Sequence, residues 1–212
     1  MSMDDAAERL RLRAGDAEAF GALFDSCAKA VYNHAFRLIG DWSAAEDVMA
    51  QTFLEAWRSR EHIAVDGGSL RPWLLGIATN LARGHRRASR RRAAALLRLG
   101  PPQDTPDFSD DVTGRLDDVN RIAALRRSLS RLRPEEYEVL ALCEGSGLSY
   151  AEAAGALGVP VGTVRSRLSR ARARLLKATE RQLRESSREL AATRLDQMAA
   201  EHVQADPSFK EA

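Results

Sequence analysis

Apolar residues recur at helical spacing through the N-terminal part of the chain. Phe20, Leu23, Phe24 and Cys27 form one stripe, and Val31, Ala35, Leu38 and Ile39 form the next. Positions that repeat every three to four residues share one face of an α-helix, so the stripes predict helical structure, and Asp16 can cap the first of them. Gly40 predicts the end of this helix, and Ser43 followed by Glu46 predicts a capping box at the start of the next.

A second helix over residues 45–57 has one apolar and one polar face. Its predicted buried positions are Ala45, Val48, Met49, Thr52, Phe53, Ala56 and Trp57. Asp47, Gln51 and Glu55 follow one another at steps of four and form a separate polar row, and Leu54 is left off the buried face. Such a row suits the basic helix of a partner protein, although most acidic helix faces simply meet water.

The segment "VDGGS" interrupts the chain before a third apolar helix. Ser69 can cap that helix, and Pro72 falls in its first turn, where proline is tolerated. Its predicted buried positions are Leu70, Trp73, Leu74, Ile77, Ala78 and Leu81. Because the alternation of polar and apolar residues typical of strands is nowhere sustained, the fold class is predicted to be all-α.

The composition changes abruptly after Leu99. The stretch "GPPQDTPDFSDDVTGRLDD" holds three prolines and six aspartates and has no apolar period. We therefore predict an extended, flexible acidic linker over residues 93–120, between a domain at 14–92 and a second small helical domain at 121–177. Residues 178–212 form a C-terminal extension, predicted to be helical at first and then disordered.

The second domain contains two helices around a short turn. Ser149 and Glu152 predict a capping box, and Gly158 and Pro160 predict the turn into the next helix. The buried side of that helix is defined by the apolar residues Val164, Leu168, Ala171 and Leu175. Its outer side is centred on Gly162, Ser166, Ser169 and Ala173. Thr163, Arg165 and Arg170 flank this outer surface.

A capped helix pair with a basic second helix is typical of the helix-turn-helix that reads the major groove of DNA. Hydroxyl groups can bond base edges or phosphates, and arginine can bond guanine through two hydrogen bonds. No acid occurs from Val161 to Lys177, which favours this interpretation over a solvated basic helix in an ordinary bundle.

A second cationic stretch, "RPWLLGIATNLARGHRRASRRR", also contains no acid. Its cations are Arg83, Arg86, Arg87, Arg90, Arg91 and Arg92. Phosphates are the natural counter-charge, and a cationic track beside a pocket or stacking surface is typical of single-strand binding. A solvated charged face is the simpler alternative for this stretch.

Composition excludes several other classes of protein. The chain has 212 residues, 29% of them charged, and a formal net charge of +2 that hides the segregation of acids and arginines. Cys27 and Cys143 are too few for a disulfide framework, and the histidines show no metal-ligand spacing, so we expect no metal and no cofactor. The absence of a signal-like segment and of a membrane-length apolar run predicts a cytoplasmic protein with no membrane insertion.

Three segments together resemble a bacterial RNA polymerase sigma factor of the extracytoplasmic function (ECF) group. They are "AFGALFDSCAKAVYNHAFRLIGDWSAAEDVMAQTFLEAWR", "RPWLLGIATNLARGHRRASRR" and "LSYAEAAGALGVPVGTVRSRLSRARARLL". The resemblance implies a promoter-recognition subunit without catalytic residues, in which region 2 precedes the linker and region 4 follows it. The implied partners are core RNA polymerase and promoter DNA in duplex and single-stranded form. The simplest members of the group are also held inactive by an anti-sigma protein.

The resemblance also implies roles for individual residues. The segment "AEDVMAQTFLEAWR" is similar to the family's helix that docks on the clamp helices of the largest catalytic subunit, which would give Asp47, Gln51, Leu54 and Glu55 a partner. The stretch from Arg71 to Arg87 is similar to the helix that reads and opens the minus-ten element. Its implied contacts with the non-template strand are Trp73, Asn80, Arg83, Arg86 and Arg87.

The remaining implied roles concern a loop and the last helix. The loop from Ser59 to Ser69 is similar to the segment that captures a flipped base, although its individual pocket residues stay open. The helix from Val161 is similar to the reader of the minus-thirty-five element. Its implied contacts are Thr163, Arg165, Ser166, Ser169 and Arg170.

Two alternatives remain at the level of sequence. A free-standing helix-turn-helix regulator would account for the second domain but would leave the row on the second helix and the arginine-rich stretch unexplained. An enzyme acting on nucleic acid is the third class, but no phosphate loop, nucleophile motif or paired-carboxylate site stands out.

Overall fold

A computed structural model of the chain describes residues 3–64, 68–98, 129, 131–181 and 184. These residues contain helices and turns and no strand, which confirms the all-α prediction for this part of the chain. The helices are α1 (Met3–Arg13), α2 (Ala17–Ile39), α3 (Trp42–Arg58), α4 (Arg71–Arg98), α5 (Pro134–Leu140), α6 (Tyr150–Leu157) and α7 (residues 161–170, the first part of a helical run that extends to residue 181). A 3₁₀ turn (Arg60–His62) follows α3, and a π-helical turn (Ala141–Gly145) extends α5.

The chain divides into two compact units. The first comprises residues 1–112 and 133–170 and therefore contains α1 to α7. The second comprises residues 113–132 and 171–212, and residues 171–181 within it are helical. The helix α4 runs on to Arg98, so the first residues of the predicted linker are helical, whereas the rest of it and most of the C-terminal extension lie outside the described residues. The domain boundaries at residues 92, 120 and 177 stay predictions.

One apolar core joins the N-terminal helices to α5, α6 and α7 within the first unit. Val31 of α2, Val48 of α3 and Leu74 of α4 belong to it, together with Leu142 after α5 and Val164 of α7. Each of these side chains is at most 3% exposed. The two predicted helical modules therefore share a core instead of burying separate ones.

The ends of the helices follow from local hydrogen bonding. Asp16 caps α2 by accepting from the amide of Ala19 at 3.2 Å, and Gly40 ends that helix with φ 79°, as predicted. The capping box expected at Ser43 is wrong. Asp41 is the cap of α3, because its carboxylate accepts from the amide of Ala44 at 2.7 Å and its extended backbone lets the helix begin immediately after the Gly40 turn.

A buried chain of hydrogen bonds runs from α2 to both α4 and the turn before α6. The Thr79 hydroxyl donates to the Leu75 carbonyl at 2.7 Å, so its oxygen is left to accept from His34 Nε2 at 2.9 Å. His34 Nε2 therefore carries a proton, and in the neutral ring Nδ1 accepts from the Ser146 hydroxyl at 3.3 Å. The Ser146 oxygen in turn accepts from Arg37 at 3.2 Å.

Burial holds His34 in this neutral form. Its side chain is 0% exposed, and burial, followed by the nearby charges of Arg37 and Arg71, lowers its pKa to about 3. A protonated ring would place a second N–H against Ser146 and a third positive charge among the two guanidinium groups. The hydrogen-bond chain therefore depends on the neutral ring.

The corrected cap of α3 predicts the effect of two alanine substitutions. Asp41→Ala removes a cap and should lower the free energy of unfolding by about 1 kcal/mol. Ser43→Ala should leave it nearly unchanged, because Ser43 lies inside the first turn. Urea unfolding followed by circular dichroism measures both values, and a larger loss for Ser43→Ala than for Asp41→Ala would contradict the assignment.

The neutral His34 predicts how stability depends on pH. Between its ordinary pKa of 6.5 and its folded pKa of about 3, the unfolded chain binds a proton that the folded chain excludes. Stability from this residue is therefore complete above pH 6.5 and falls on acidification, by about 2 kcal/mol at pH 5. Urea unfolding at pH 7 and pH 5 should show a smaller acid loss for His34→Gln than for the wild type, and equal losses would refute the interpretation.

Candidate nucleic-acid and protein interfaces

The helix-turn-helix predicted from the sequence is present in α6 and α7. Ser149 accepts from the amide of Glu152 at 3.3 Å, and the Glu152 carboxylate accepts from the amide of Ser149 at 2.8 Å, which confirms the capping box. Gly158 ends α6 with φ 64°, a left-handed conformation that suits glycine. The Pro160 carbonyl then accepts from the amide of Thr163 at 2.9 Å and begins α7.

The outer face of α7 has the composition expected from its period. Val164 and Leu168 are buried, whereas the predicted contact residues lie on the opposite side. Arg165, Ser166, Ser169 and Arg170 are exposed, and Thr163 is half-buried. The structure therefore brings the whole predicted minus-thirty-five set onto one surface of hydroxyl and guanidinium groups.

Local hydrogen bonds orient part of this surface. The Ser166 hydroxyl donates to the Thr163 carbonyl at 3.0 Å, and Arg170 Nη2 donates to the Ser166 oxygen at 3.4 Å. Arg170 Nε also lies 3.9 Å from a carboxylate oxygen of Glu136. Arg165 and Arg170 are both exposed cations. Among these contacts Arg170 lies beside a carboxylate and Arg165 does not, so the guanidinium of Arg170 is the more restricted of the two.

The predicted minus-ten residues are spread along α4. Trp73 is half-buried and lines a groove with Gly155 and Ala156 of α6. Asn80 and Arg87 are exposed. The sequence placed these residues on one helix correctly, but it did not anticipate that residues of the second predicted domain lie against that helix.

Arg83 is engaged in an ion pair with a residue that the sequence analysis missed. Its Nε donates to Glu138 Oε1 at 2.8 Å and its Nη2 donates to Glu138 Oε2 at 2.6 Å, while its Nη1 donates to Asn80 Oδ1 at 2.9 Å. Glu138 is 1% exposed. Hydrogen bonding to Glu138 raises the pKa of the Arg83 guanidinium, opposed by partial burial.

A cationic recess of about 410 Å³ lies beside this pair, between α4, α5 and α7. Its charged lining residues are Arg83, Arg86, Arg87, Arg90, Arg167, Glu135 and Glu138. Cations outnumber carboxylates in this lining, so the recess favours a polyanion such as a nucleic-acid backbone. Arg90 and Arg167 were outside the predicted set, although both belong to the acid-free stretches that predicted nucleic-acid contact.

The predicted protein-binding row is exposed on α3. Asp47, Gln51 and Glu55 face solvent, and Leu54, an apolar side chain, is 48% exposed. Exposed carboxylates beside an exposed leucine can bind a basic helix that also carries an apolar contact. The structure brings these four residues onto one face, as their spacing predicted.

The loop between α3 and α4 is anchored from α1. Arg9, which is 7% exposed, donates to the carbonyl of Ala64 at 2.6 Å and to that of Gly68. This helix and its buried arginine were missed, because Arg9 is buried and Leu10 is exposed, the reverse of the usual pattern. Residues 65–67 of the predicted base-capturing loop lie outside the described residues.

The described residues lack two further kinds of feature. Within that part of the chain, no group of three or more histidine, cysteine or acidic residues is placed to hold a metal ion. No helix there has the length and apolar character needed to cross a membrane.

Comparisons with protein families give two matches. Residues 23–92 match the family model "Sigma-70 region 2", and residues 122–175 match "Sigma-70, region 4". The first range contains α3 and most of α4, and the second contains α5, α6 and α7. The helices that carry the three candidate surfaces therefore fall in the matched ranges.

Curated relatives are similar over most of the chain. The ECF RNA polymerase sigma factor BldN of Streptomyces coelicolor is 34% identical over 165 residues, which cover 76% of this chain and 60% of that protein. The ECF RNA polymerase sigma factor SigL of Mycobacterium tuberculosis is 35% identical over 161 residues, which cover 74% of this chain and 87% of that protein. The chain thus spans somewhat less than two thirds of the first relative and most of the second.

Two solved structures resemble the fold. CnrH, in complex with the cytosolic domain of CnrY, matches with a TM-score of 0.61 and 25% identity, over 83% of this chain and 97% of that chain. The sigma factor RpoE, in complex with the anti-sigma factor NepR from Bartonella quintana, matches with a TM-score of 0.58 and 26% identity, over 77% of this chain and 98% of that chain.

Proposed function

The chain belongs to the ECF RNA polymerase sigma factors of the sigma-70 family, and from this we propose that its three polar helix surfaces divide the steps of transcription initiation among them. A sigma factor directs RNA polymerase to promoters. The comparisons do not favour the alternative of a free-standing regulator. We propose further that the chain catalyses no reaction itself and that it acts in the cytoplasm with the polymerase.

The first surface is the row on α3, which we assign to core polymerase. The support is its exposure and its chemistry: three polar side chains and Leu54 on one face of a helix inside the region 2 match. The clamp helices of the largest catalytic subunit are the proposed partner. Carboxylates at Asp47 and Glu55 would steer the two proteins together and fix their register.

The second surface is the cationic face of α4, which we assign to the separated strand of the minus-ten element. Arg86 and Arg87 would neutralise phosphates, and Trp73 and Asn80 would meet unstacked bases. Stabilising a flipped base by new contacts is how a protein without an energy source favours open DNA. Arg83 belongs to this set once it is released from Glu138.

The third surface is the outer face of α7, which we assign to duplex DNA at the minus-thirty-five element. Small side chains at Gly162 and Ser166 let the helix approach the major groove closely, and the arginines beside them reach base edges and phosphates. Because one chain contacts both promoter elements, binding at one element raises the effective concentration of the other element at the helix that binds it. An anti-sigma protein is a further proposed partner, supported by the complexes of the structural relatives.

The single observation that carries this proposal is the coincidence of the three exposed polar surfaces with the two sigma-70 matches. Run-off transcription tests it directly. Purified chain, bacterial core polymerase and genomic promoter fragments should give transcripts with defined starts that core polymerase alone does not give. The absence of any such transcript would refute the proposed function.

Charge reversal on α3 tests the polymerase surface. Asp47→Lys and Glu55→Lys should each weaken binding to core polymerase by about tenfold, because each replaces an attraction to a basic helix by a repulsion. Asp25→Lys, an exposed acid on α2, makes the same charge change elsewhere. Binding is measured by fluorescence anisotropy, with thermal unfolding as the check on folding. Equal affinities for all three variants and the wild type would remove the assignment.

Alanine substitution on α7 tests the duplex-reading surface. Arg165→Ala and Arg170→Ala should each weaken holoenzyme binding to a duplex promoter fragment by about 1–3 kcal/mol, while core polymerase binding persists. Lys29→Ala removes one exposed cation from α2 and serves as the control for charge. A gel-shift titration gives the affinities. Loss of polymerase binding in parallel with DNA binding would argue against separate surfaces.

A further inference from the structure

The cationic recess between α4, α5 and α7 carries more positive charge than its own carboxylates can neutralise. Five guanidinium groups and two carboxylates line a volume of about 410 Å³. Glu138 accepts from Arg83 through both of its oxygens, at 2.8 and 2.6 Å, so its charge is already balanced. Glu135 is exposed, and water screens its carboxylate. The recess therefore keeps an excess of cations.

Four of the five arginines lack an acidic partner in the part of the chain that the structure describes. Arg86, Arg87, Arg90 and Arg167 form no ion pair there with a carboxylate. Like charges that converge on one cavity repel each other. An anion that enters the recess relieves this repulsion. Arginine suits phosphate in particular, because its planar group can bond two phosphate oxygens at once.

Arg167 contributes to the recess from a side of α7 that is separate from the duplex-reading face. It is half-buried and lines the recess, whereas Arg165, Ser166 and Ser169 are exposed on the reading face. A cation of α7 therefore meets the cations of α4 in one cavity. A ligand in this cavity contacts both helices at once.

The spacing of the arginines indicates a chain of linked phosphates. Arg86 and Arg90 are separated by about 6 Å along the axis of α4, and Arg167 enters the lining from another helix. A single phosphate does not extend along such a row. Duplex DNA is too wide for a cavity of this volume. A single strand has a sugar between successive phosphates, so it offers fewer charges for its length than an oligophosphate does.

We propose that this recess binds a linear oligophosphate of three or more phosphates, held by Arg86, Arg87 and Arg90 of α4 and by Arg167 of α7. Inorganic tripolyphosphate and the triphosphate chain of a nucleotide share this chemistry. Because the site is built from helices that are distant in sequence, the ligand binds the folded chain in preference to the unfolded chain and stabilises the fold. The site goes beyond the promoter contacts proposed above, since its ligand is a small molecule and it requires Arg167.

Titration calorimetry of the full chain with sodium tripolyphosphate, at constant ionic strength, tests the site. Arg167→Ala should bind tripolyphosphate about tenfold more weakly than Arg165→Ala, which removes the same charge from the same helix outside the recess. Arg87→Ala should show a similar loss relative to Arg91→Ala, which removes an exposed arginine of α4 that does not line the recess. None of these four side chains is buried, and circular dichroism checks that each variant folds.

A substitution of the opposite sign should strengthen binding. Glu135→Gln removes an exposed carboxylate from the lining and should tighten tripolyphosphate binding about threefold relative to Asp25→Asn, an exposed acid of α2 outside the recess. Tripolyphosphate should also raise the midpoint of thermal unfolding of the wild type, and it should raise that of Arg167→Ala less.

Three results would overturn the proposal. Equal affinities of Arg167→Ala and Arg165→Ala for tripolyphosphate would indicate a general attraction to cations. Orthophosphate that binds as tightly as tripolyphosphate would exclude a site for a linked chain. A thymidine oligonucleotide that loses as much affinity as tripolyphosphate in Arg167→Ala would make the recess a nucleic-acid site.

ATP, titrated without divalent cations, identifies the source of the phosphate chain. Binding tighter than that of tripolyphosphate assigns a nucleotide, whose nucleoside can pack against Leu157 and Val159 in the lining. Equal or weaker binding assigns the inorganic chain. Run-off transcription with the wild type tests the proposed function separately, so the failure of one proposal leaves the other standing.

Discussion

The ion pair between Glu138 and Arg83 is the constraint on which the arrangement of the first unit depends. A carboxylate that is 1% exposed must have a partner, because an unpaired charge in that position would destabilise the fold by several kcal/mol. Only a cation on α4 meets it through two short hydrogen bonds among the described residues. The ion pair therefore fixes the position of α5 against the middle of α4. The turn at Ser146 comes after α5 in the chain and forms hydrogen bonds with His34 and Arg71.

The helix α4 can serve this purpose because its two halves differ. Its first half carries Leu74 and Ala78 into the core and has a glycine where α6 approaches most closely. Its second half has no acidic residue and carries arginines on several sides. This half therefore cannot be buried and needs anions from elsewhere to pair with its arginines. Arg83 lies at the junction of the two halves. It is the cation that pairs with the buried carboxylate of Glu138.

The sequence predicts the parts of this structure that depend on neighbours along the chain. Helices α2, α3, α4, α6 and α7, the Gly40 and Gly158 turns and the outer face of α7 follow from apolar period and local capping. The start of α3 was misplaced because Asp41 and Ser43 are both good caps, and the choice depends on the backbone after Gly40. The role of Glu138 could not be predicted, since its partner lies 55 residues away and pairing at that distance leaves no mark in the local pattern.

Two polar contacts join the predicted modules, the hydrogen bonds of His34 and the ion pair of Arg83, and they should respond to different agents. The His34 ring is fully buried, and its hydrogen bonds to Thr79 and Ser146 depend on the neutral ring, so acid weakens them. The Arg83 side chain is 29% exposed and faces a cationic recess, so an incoming polyanion can compete directly for its guanidinium.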